Sequence, residues 1–337
     1  MSGRILIVAE LSANHGHSLD KALETVRLAK QAGADAIKIQ TYTADTITLD
    51  CDNEYFQIRH GTLWDGTTLH KLYREAYTPW EWHAAIRDAA AAQGLTFFST
   101  PFDPTAVDFL EDLGVPLYKI ASFEIHDIPL IEYVAAKGKP MLISTGIASL
   151  GDIEEAVAAC RRRGNDDITL LKCTSAYPAR PEDANLATIP NMAAAFGVKV
   201  GLSDHTMGHA VPIAAVGFGI SVIEKHFIID RALGGPDASF SMTPAEFALM
   251  VEGVRTAEAA IGRVTYEMPE GIAQNRAFGR SLFVTADIAA GEVLTPANVR
   301  SIRPGAGLHP RHTPEVMGRR ARRALVRGTP LDWSMID

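Results

Sequence analysis

The chain has 337 residues, enough for one large core or a large domain with a small one, and too many for a single small domain. Hydrophobic residues make up 47% and charged residues 21%, and the formal net charge of −8 is spread rather than blocked, so there is no general attraction to nucleic acid or an anionic membrane, and an anionic substrate must be held by a local cluster of cations. Cys51, Cys160 and Cys173 are few, odd in number and far apart, which argues against a disulfide framework or a zinc knuckle and fits a reducing cytoplasm.

The N-terminal stretch MSGRILIVAELSANH carries a single Arg and an apolar run too short for a signal sequence or a membrane span. Short apolar runs of β type then recur at 5–9, 36–40, 96–99, 117–120, 141–144, 168–173, 198–202 and 222–225. Each is apolar nearly throughout rather than alternating, as parallel strands covered on both faces should be. Helical patterns lie between them. Ser18 caps a segment with Leu19, Ala22, Leu23, Val26 and Ala29 on one face, and Gly33 ends it; Thr243-Pro244-Ala245-Glu246 combines an N-cap, a first-turn Pro and a capping-box Glu. This alternation predicts a (β/α)8 TIM barrel over residues 1–264, with its active site at the C-terminal strand ends. A doubly wound sheet is the alternative, but no Gly-rich phosphate turn follows the first run.

The connection from about residue 41 to 79 is long, polar and aromatic, the mark of a functional lid or addition. After Gly262 the barrel pattern stops. Residues 265–280 read as a linker, and residues 281–337 as a small unit of short strands and turns, marginal alone and expected to lean on a barrel, its own or another subunit's.

Polar residues that close each apolar run are expected to point toward the barrel mouth: Glu10 with Asn14 and His15; Lys38 and Gln40; Ser99 and Thr100; Lys119, Ser122 and Glu124; Ser144 and Thr145; Thr174, Ser175 and Tyr177; Ser203 and His205; Lys225, His226 and, beyond, Asp237. Lys38 and Lys119 sit inside apolar runs, where an unpaired ammonium is costly, so each needs an anion. A structural salt bridge to a barrel carboxylate is one answer. A bound dianion is the other, with Thr100, Ser122, Ser144 and Ser203 as hydroxyl donors, and it is favoured because two ammoniums and four hydroxyls exceed what Glu10 alone requires.

His205 and His226, at the ends of consecutive strands, are either hydrogen-bonded core histidines or a two-imidazole site for a divalent ion such as Mn, Zn, Fe or Co with positions left open for substrate. His60, His70, His83 and His126 have no such pairing and read as surface or packing residues. Glu10, Glu124 and Asp237 are either salt-bridged or solvated carboxylates, or groups that orient water and substrate. Tyr177 is a packing residue or a hydrogen-bond donor, and Trp80 and Trp82 read as rim packing.

The motifs AELSANH, DAIKIQTYTADT, FFSTPFD, YKIASFEI, PMLISTG, LLKCTSAYP, GLSDHT, EKHF and LGGPDASFSMTPAEF, in that order, resemble the sialic acid synthase family, and VTADIAAGEVLTPANVRSIRPGAGL is similar to its C-terminal antifreeze-like (SAF) domain. The resemblance implies condensation of phosphoenolpyruvate with the open-chain aldehyde of an acetamido sugar. It implies a divalent metal (Mn, with Mg or Co as alternatives) on His205 and His226. It also implies a phosphoenolpyruvate site of Lys38, Thr100, Lys119, Ser122, Ser144 and Ser203, with Glu10, Gln40, Tyr177, Glu124, Ser175 and Asp237 near the sugar and the catalytic centre. A domain-swapped homodimer, in which Arg303 reaches the partner's sugar site, is implied too.

Within the family, ANH, the GTLWDGTTLHKLYREAYTPWEWH segment, SAY and LGGPDASFS resemble the pseudaminic acid branch, and Ser175 stands where N-acetylneuraminate synthases carry Asn. The sugar implied is 2,4-diacetamido-2,4,6-trideoxy-L-altrose, with N-acetylneuraminate or legionaminic acid synthesis as the alternative. A metal-dependent aldolase or hydrolase, or a carbohydrate- or ice-binding protein, would leave the second anion site or the buried lysines and histidines idle.

Overall fold

Runs that are apolar at every position bury both faces when they become strands, and here they do so by closing on themselves. The computed structural model describes residues 3–59 and 61–337, so His60 lies outside the described residues. Among these, β1 (Leu6–Glu10), β2 (Ala36–Thr41), β3 (Thr96–Pro101), β4 (Tyr118–Ile120), β5 (Met141–Ser144), β6 (Ile168–Cys173), β7 (Lys199–Asp204) and β8 (Val222–His226) pair in parallel, in chain order, and β8 returns to β1. This is the (β/α)8 barrel that the sequence pattern predicts.

Successive strand side chains point to opposite faces, so one set fills the barrel and the other meets the helices. Val8, Ala36, Phe98, Leu142, Leu171 and Val222 form the interior cluster, while Ile7, Ile37, Ile39 and Ile223 join the larger core beneath the helices. Helix Leu19–Gln31 buries Ala22, Val26 and Ala29 there, and Ser18 caps it by accepting from the Lys21 amide. At the turn that follows, Gly33 has φ +93°, and a Cβ would come within 2.8 Å of Val251, so glycine is required on both counts. Thr243 and Glu246 form the expected capping box on helix Pro244–Ile261.

The chain divides into two units, Met1–Gly262 and Arg263–Asp337. The second is built around β9 (Ser281–Val284) and β10 (Val299–Ile302), an antiparallel pair whose apolar residues pack with Ile288, Leu294, Val316, Leu325, Leu331 and Ile336. Arg303 belongs to this unit and is exposed. Among the described residues no helix is long and apolar enough to cross a membrane.

Candidate active site

Counting by twos from the interior apolar cluster gives the site. Two residues beyond Val8, Ala36, Phe98, Leu117, Leu142, Leu171 and Val222 stand Glu10, Lys38, Thr100, Lys119, Ser144, Cys173 and Glu224. A plug of apolar side chains is thus followed by a polar layer at the C-terminal ends of the strands. Two residues further come Gln40, Ala121, Gly146, Ser175 and His226, with His205 two beyond Ser203 on β7. The pleat alone therefore sets the two histidines side by side.

The polar layer is rich in charge and almost dry. Lys38 Nζ lies 2.9 Å from Glu10 Oε2 and 3.5 Å from Glu224 Oε1, and donates to Thr100 Oγ1 at 3.2 Å. Burial alone would lower this lysine, but Glu10 and Glu224 outweigh it and hold the ammonium charged. Glu10 is pushed up to about 7, by burial first and then by Glu224, against the pull of Lys38. Ser203 donates to Glu224 Oε1 at 3.1 Å.

Lys119 differs: it is 2% exposed and its Nζ donates to the Ile120 carbonyl at 2.8 Å, with no ion-pairing carboxylate among the described residues. Burial lowers it. Beside it are hydroxyls without full partners; Ser144 Oγ is buried with no hydrogen bond, and Ser122 Oγ accepts from the Gly146 amide at 3.1 Å.

Above this layer the His205 and His226 rings stand 5.2 Å apart, and Tyr177 stacks edge-on against His205 at 4.5 Å. The Thr174 carbonyl, 3.1 Å from His205 Nδ1, can only accept, so that nitrogen carries the proton and Nε2 is left free. Burial lowers His205, but Cys173 outweighs it and the net shift is upward; Cys173, raised by burial, is drawn down to about 6 by His205 and its other neighbours. His226 is kept neutral by burial and by the nearby cations, and its Nδ1 is buried without a hydrogen bond, 3.9 Å from Asp237 Oδ2. Asp237 is itself fixed by Ser12, whose backbone is left-handed (φ 48°) and whose hydroxyl donates at 2.5 Å. Gln40 bridges from Ser12 Oγ, at 3.0 Å, to Glu10 Oε1, at 3.4 Å.

These groups open into a cavity of about 530 Å³. Ser12, Gln40, Ser122, Tyr177, His226 and Asp237 line its polar end, and Tyr55, Ile58, Trp64, Leu69, Leu72 and Tyr73, all from the long 41–79 connection, line much of the rest. Trp64 is pinned by its indole N–H to the Pro236 carbonyl at 3.0 Å and packs on Tyr177. Glu124 faces the same space, its carboxyl pushed up to about 7 by burial.

The NeuB family pattern matches residues 25–266, and the SAF domain pattern residues 279–337. The chain belongs to the NeuB family. It is 47% identical over 332 residues to a pseudaminic acid synthase of Helicobacter pylori, covering 98% of this chain and 97% of that protein. To an N,N'-diacetyllegionaminic acid synthase of Legionella pneumophila it is 36% identical over 336 residues, covering 98% and 94%. Among solved structures, an N-acetylneuraminic acid synthetase of Leptospira borgpetersenii in complex with citrate superposes with a TM-score of 0.72 at 30% identity, over 81% of this chain and 90% of that one.

In this NeuB-family chain the structure brings together Glu10, Lys38, Gln40, Thr100, Lys119, Ser122, Glu124, Ser144, Ser175, Tyr177, Ser203, His205, His226 and Asp237. Arg303 lies in the other unit. Expectations about direction are corrected at Ser99 and Lys225, and also at Thr145 and Thr174, whose hydroxyls donate to the Leu171 and Asp183 carbonyls rather than lining the cavity. Ser99 points outward, donating to the Ile39 carbonyl, and Lys225 points outward to Asp204, because each sits one residue out of phase with the interior set. Trp80 and Trp82 pack at the rim, against Phe109 and His15. His83 is a bonded core histidine between Thr41 and Pro79, and His70 and His126 pair with Asp45 and Asp152.

Sequence reasoning passed over Glu224, Cys173 and Gly146 as site residues, although counting by twos from Val222, Leu171 and Leu142 reaches all three. As a metal site the residues fit in part. His226 Nδ1 is a buried, unpartnered nitrogen, His205 keeps Nε2 free, and a carboxylate stands nearby. No set of three or more His, Cys, Asp or Glu groups with metal-holding geometry occurs among the described residues, so an ion here would draw its other ligands from water and substrate.

Proposed function

We propose that this chain is a pseudaminic acid synthase, condensing phosphoenolpyruvate with 2,4-diacetamido-2,4,6-trideoxy-L-altrose to a nine-carbon 2-keto sugar acid and releasing phosphate. The observation that carries this reading is Lys119, buried with no ion-pairing carboxylate among the described residues, in the strand-end layer that also carries Ser144, beneath a cavity lined by Ser122 and His226. A phosphate or carboxylate supplies the missing anion.

In this reading Lys38 and Lys119 bind the dianion, and Thr100, Ser122, Ser144 and Ser203 direct their hydroxyls to its oxygens. A divalent ion such as Mn on His205 and His226 supplies Lewis acidity toward the aldehyde oxygen. Carbon 3 of phosphoenolpyruvate forms the new bond to the aldehyde carbon, whose oxygen takes up a proton and becomes a hydroxyl; the cation left at carbon 2 adds water, which returns one proton, and the resulting carbon 2 hydroxyl gives up its proton to become the ketone as hydrogen phosphate departs by C–O cleavage. Glu10 and Glu124, both near 7, are the carboxyls able to exchange protons at neutral pH. Holding both substrates in one cavity removes much of the entropy cost of their encounter, roughly 7–11 kcal/mol at best.

The sugar assignment is supported by the fall in identity from 47% to 36% between the pseudaminic and legionaminic relatives. The apolar wall of Ile58, Trp64, Leu69 and Leu72 also suits a trideoxy sugar bearing acetyl methyls. We place the enzyme in the cytoplasm, where phosphoenolpyruvate is made, and as a homodimer in which Arg303 serves the partner's sugar site. Val264, Tyr266 and Phe278, 94%, 101% and 64% exposed, are the apolar surface a second copy would cover.

The test is mass spectrometry of purified enzyme with phosphoenolpyruvate, Mn and, in separate reactions, the altrose sugar, 2,4-diacetamido-2,4,6-trideoxymannose and N-acetylmannosamine. A nine-carbon acid with free phosphate from the altrose sugar alone is expected. Product from another sugar would overturn the sugar assignment, and no product at all would overturn the synthase reading.

A further inference from the structure

The juxtaposition of the two histidines depends on the backbone at two strand ends, and one ammonium grips both. Lys225, 1% exposed, lies on the face of the sheet opposite the cavity, where its Nζ ion-pairs with Asp204 Oδ2 and donates to the Thr206 carbonyl. Asp204 in turn accepts from the Thr206 amide at 3.1 Å and the Thr206 hydroxyl at 2.9 Å. Residues 204 and 206 flank His205, and residue 225 immediately precedes His226.

The ladder between β7 and β8 pairs Leu202 with Ile223, Ser203 with Glu224 and Asp204 with Lys225, and stops there. His205 lies just past its end, with its carbonyl bonded to the other side, to the Ala179 amide at 3.0 Å. The side-chain bridge therefore takes over between the strands where the backbone ladder gives out. Its setting between the sheet and the helices is largely apolar, with Ile7, Ile37, Ile39 and Ile223 in outward positions, and Glu246 is the one further charge felt by Lys225. A buried ion pair in such a layer loses as much by desolvation as it gains by attraction, so stability alone does not account for it.

We propose that Asp204 and Lys225 are positioning residues, a latch that holds His205 and His226 in the geometry needed to share one divalent ion. The inference rests on the metal reading of the histidine pair. The latch sets metal affinity, and the anion site lower in the barrel is independent of it.

The test is titration of Mn2+ into the full-length protein, with free ion followed by electron paramagnetic resonance. It is run for wild type, His226→Ala, Lys225→Met and the double variant Asp204→Leu/Lys225→Met, alongside phosphoenolpyruvate affinity and thermal unfolding of each. The single variant leaves a buried carboxylate unpaired and will unfold more easily; the double variant removes both charges. His226→Ala is expected to lose Mn2+ binding. The double variant should bind Mn2+ roughly 10- to 100-fold more weakly, the range for groups that orient metal ligands, while phosphoenolpyruvate affinity stays within about twofold and the unfolding midpoint, lowered by the Thr206 groups left unpaired, falls less than in Lys225→Met.

Mn2+ affinity within about twofold of wild type in the double variant would overturn the latch. So would a loss of metal affinity matched by an equal loss of phosphoenolpyruvate affinity, which marks general loosening. Wild type binding Mn2+ no better than His226→Ala would overturn the metal reading itself, and the latch with it, before the latch variants are compared.

Discussion

Lys38 and Lys119 occupy equivalent interior positions on β2 and β4, yet Lys38 has two carboxylates within 3.5 Å while Lys119 has, among the described residues, none within 4.0 Å. One lysine balances charge that the protein supplies, and the other is the one that, in the proposed function, meets charge brought by a substrate. Lys38→Met leaves Glu10 facing Glu224 and should lower stability by roughly 3–5 kcal/mol. Lys119→Met should change it by about 1 kcal/mol or less, because the cost of burying that ammonium disappears with it. Both should weaken phosphoenolpyruvate binding roughly 100-fold or more, about 2.7 kcal/mol. Denaturant unfolding and a phosphoenolpyruvate titration separate the two effects, and equal destabilisation would contradict the assignment.

Gly146 is where the strand-end layer that the proposed function assigns to the anion has no room to spare. A Cβ there would overlap Ser175 Oγ and lie 2.8 Å from Ser122 Oγ and 3.1 Å from Cys173 Sγ. Gly146→Ala should therefore reduce kcat/KM by roughly 100-fold without unfolding the barrel. Adding Ser175→Ala, which removes the worst overlap, should recover about tenfold of that loss. Steady-state kinetics of the two single variants and the double variant check the coupling.

Trp64 lies in the cavity wall that the proposed function assigns to the sugar. With its indole on the Pro236 carbonyl and its ring against Tyr177, Trp64→Ala should raise the KM for the sugar about tenfold or more, the loss of one well-packed aromatic contact. The KM for phosphoenolpyruvate should stay within about twofold. Trp64→Phe, which keeps a ring and loses the hydrogen bond, should fall between. A matched rise in both KM values would show that the residue supports the whole mouth rather than the sugar wall.

Glu124 ties stability to pH. Its carboxyl is raised from 4.5 to about 7 by burial, so between those values the folded protein holds a proton that the unfolded chain has released. The stability this proton confers is fully present below about pH 4.5 and is lost as pH rises through 7. Glu124→Gln, neutral throughout, should match wild type near pH 4.5 and exceed it by roughly 3 kcal/mol at pH 8. Unfolding of the substrate-free protein across that range measures the difference, and a constant offset would show that the carboxyl titrates normally.

The barrel was readable because eight apolar runs separated by helical patterns leave few other ways to bury both faces of each strand. The site was readable in composition but less so in direction. Treating every polar residue at the end of a run as mouth-facing admits Lys225 and Ser99, which point outward, and omits Glu224 and Cys173, which point inward; the period of two, applied from Val222 and Leu171, assigns Glu224 and Cys173. Lys38 could not be told from Lys119 in this way, since which lysine meets a carboxylate depends on barrel closure bringing β8 beside β1. The 41–79 connection announced itself by length, but its anchor at Pro236 joins residues far apart in sequence and follows from no local pattern.

That connection also begins and ends at one place. Thr41 is hydrogen-bonded to His83 at 2.8 Å, and the Trp80 indole donates to the Tyr42 carbonyl at 3.1 Å, so the chain leaves the barrel and rejoins it through a single seam. The polar end of the cavity is assembled from several strand ends far apart in sequence, whereas much of its wall travels as one contiguous piece of chain. In inheritance such a piece is a cassette. On the proposed function, a single recombination between the two sides of the seam would exchange the wall assigned to the sugar and leave the polar layer beneath it unaltered.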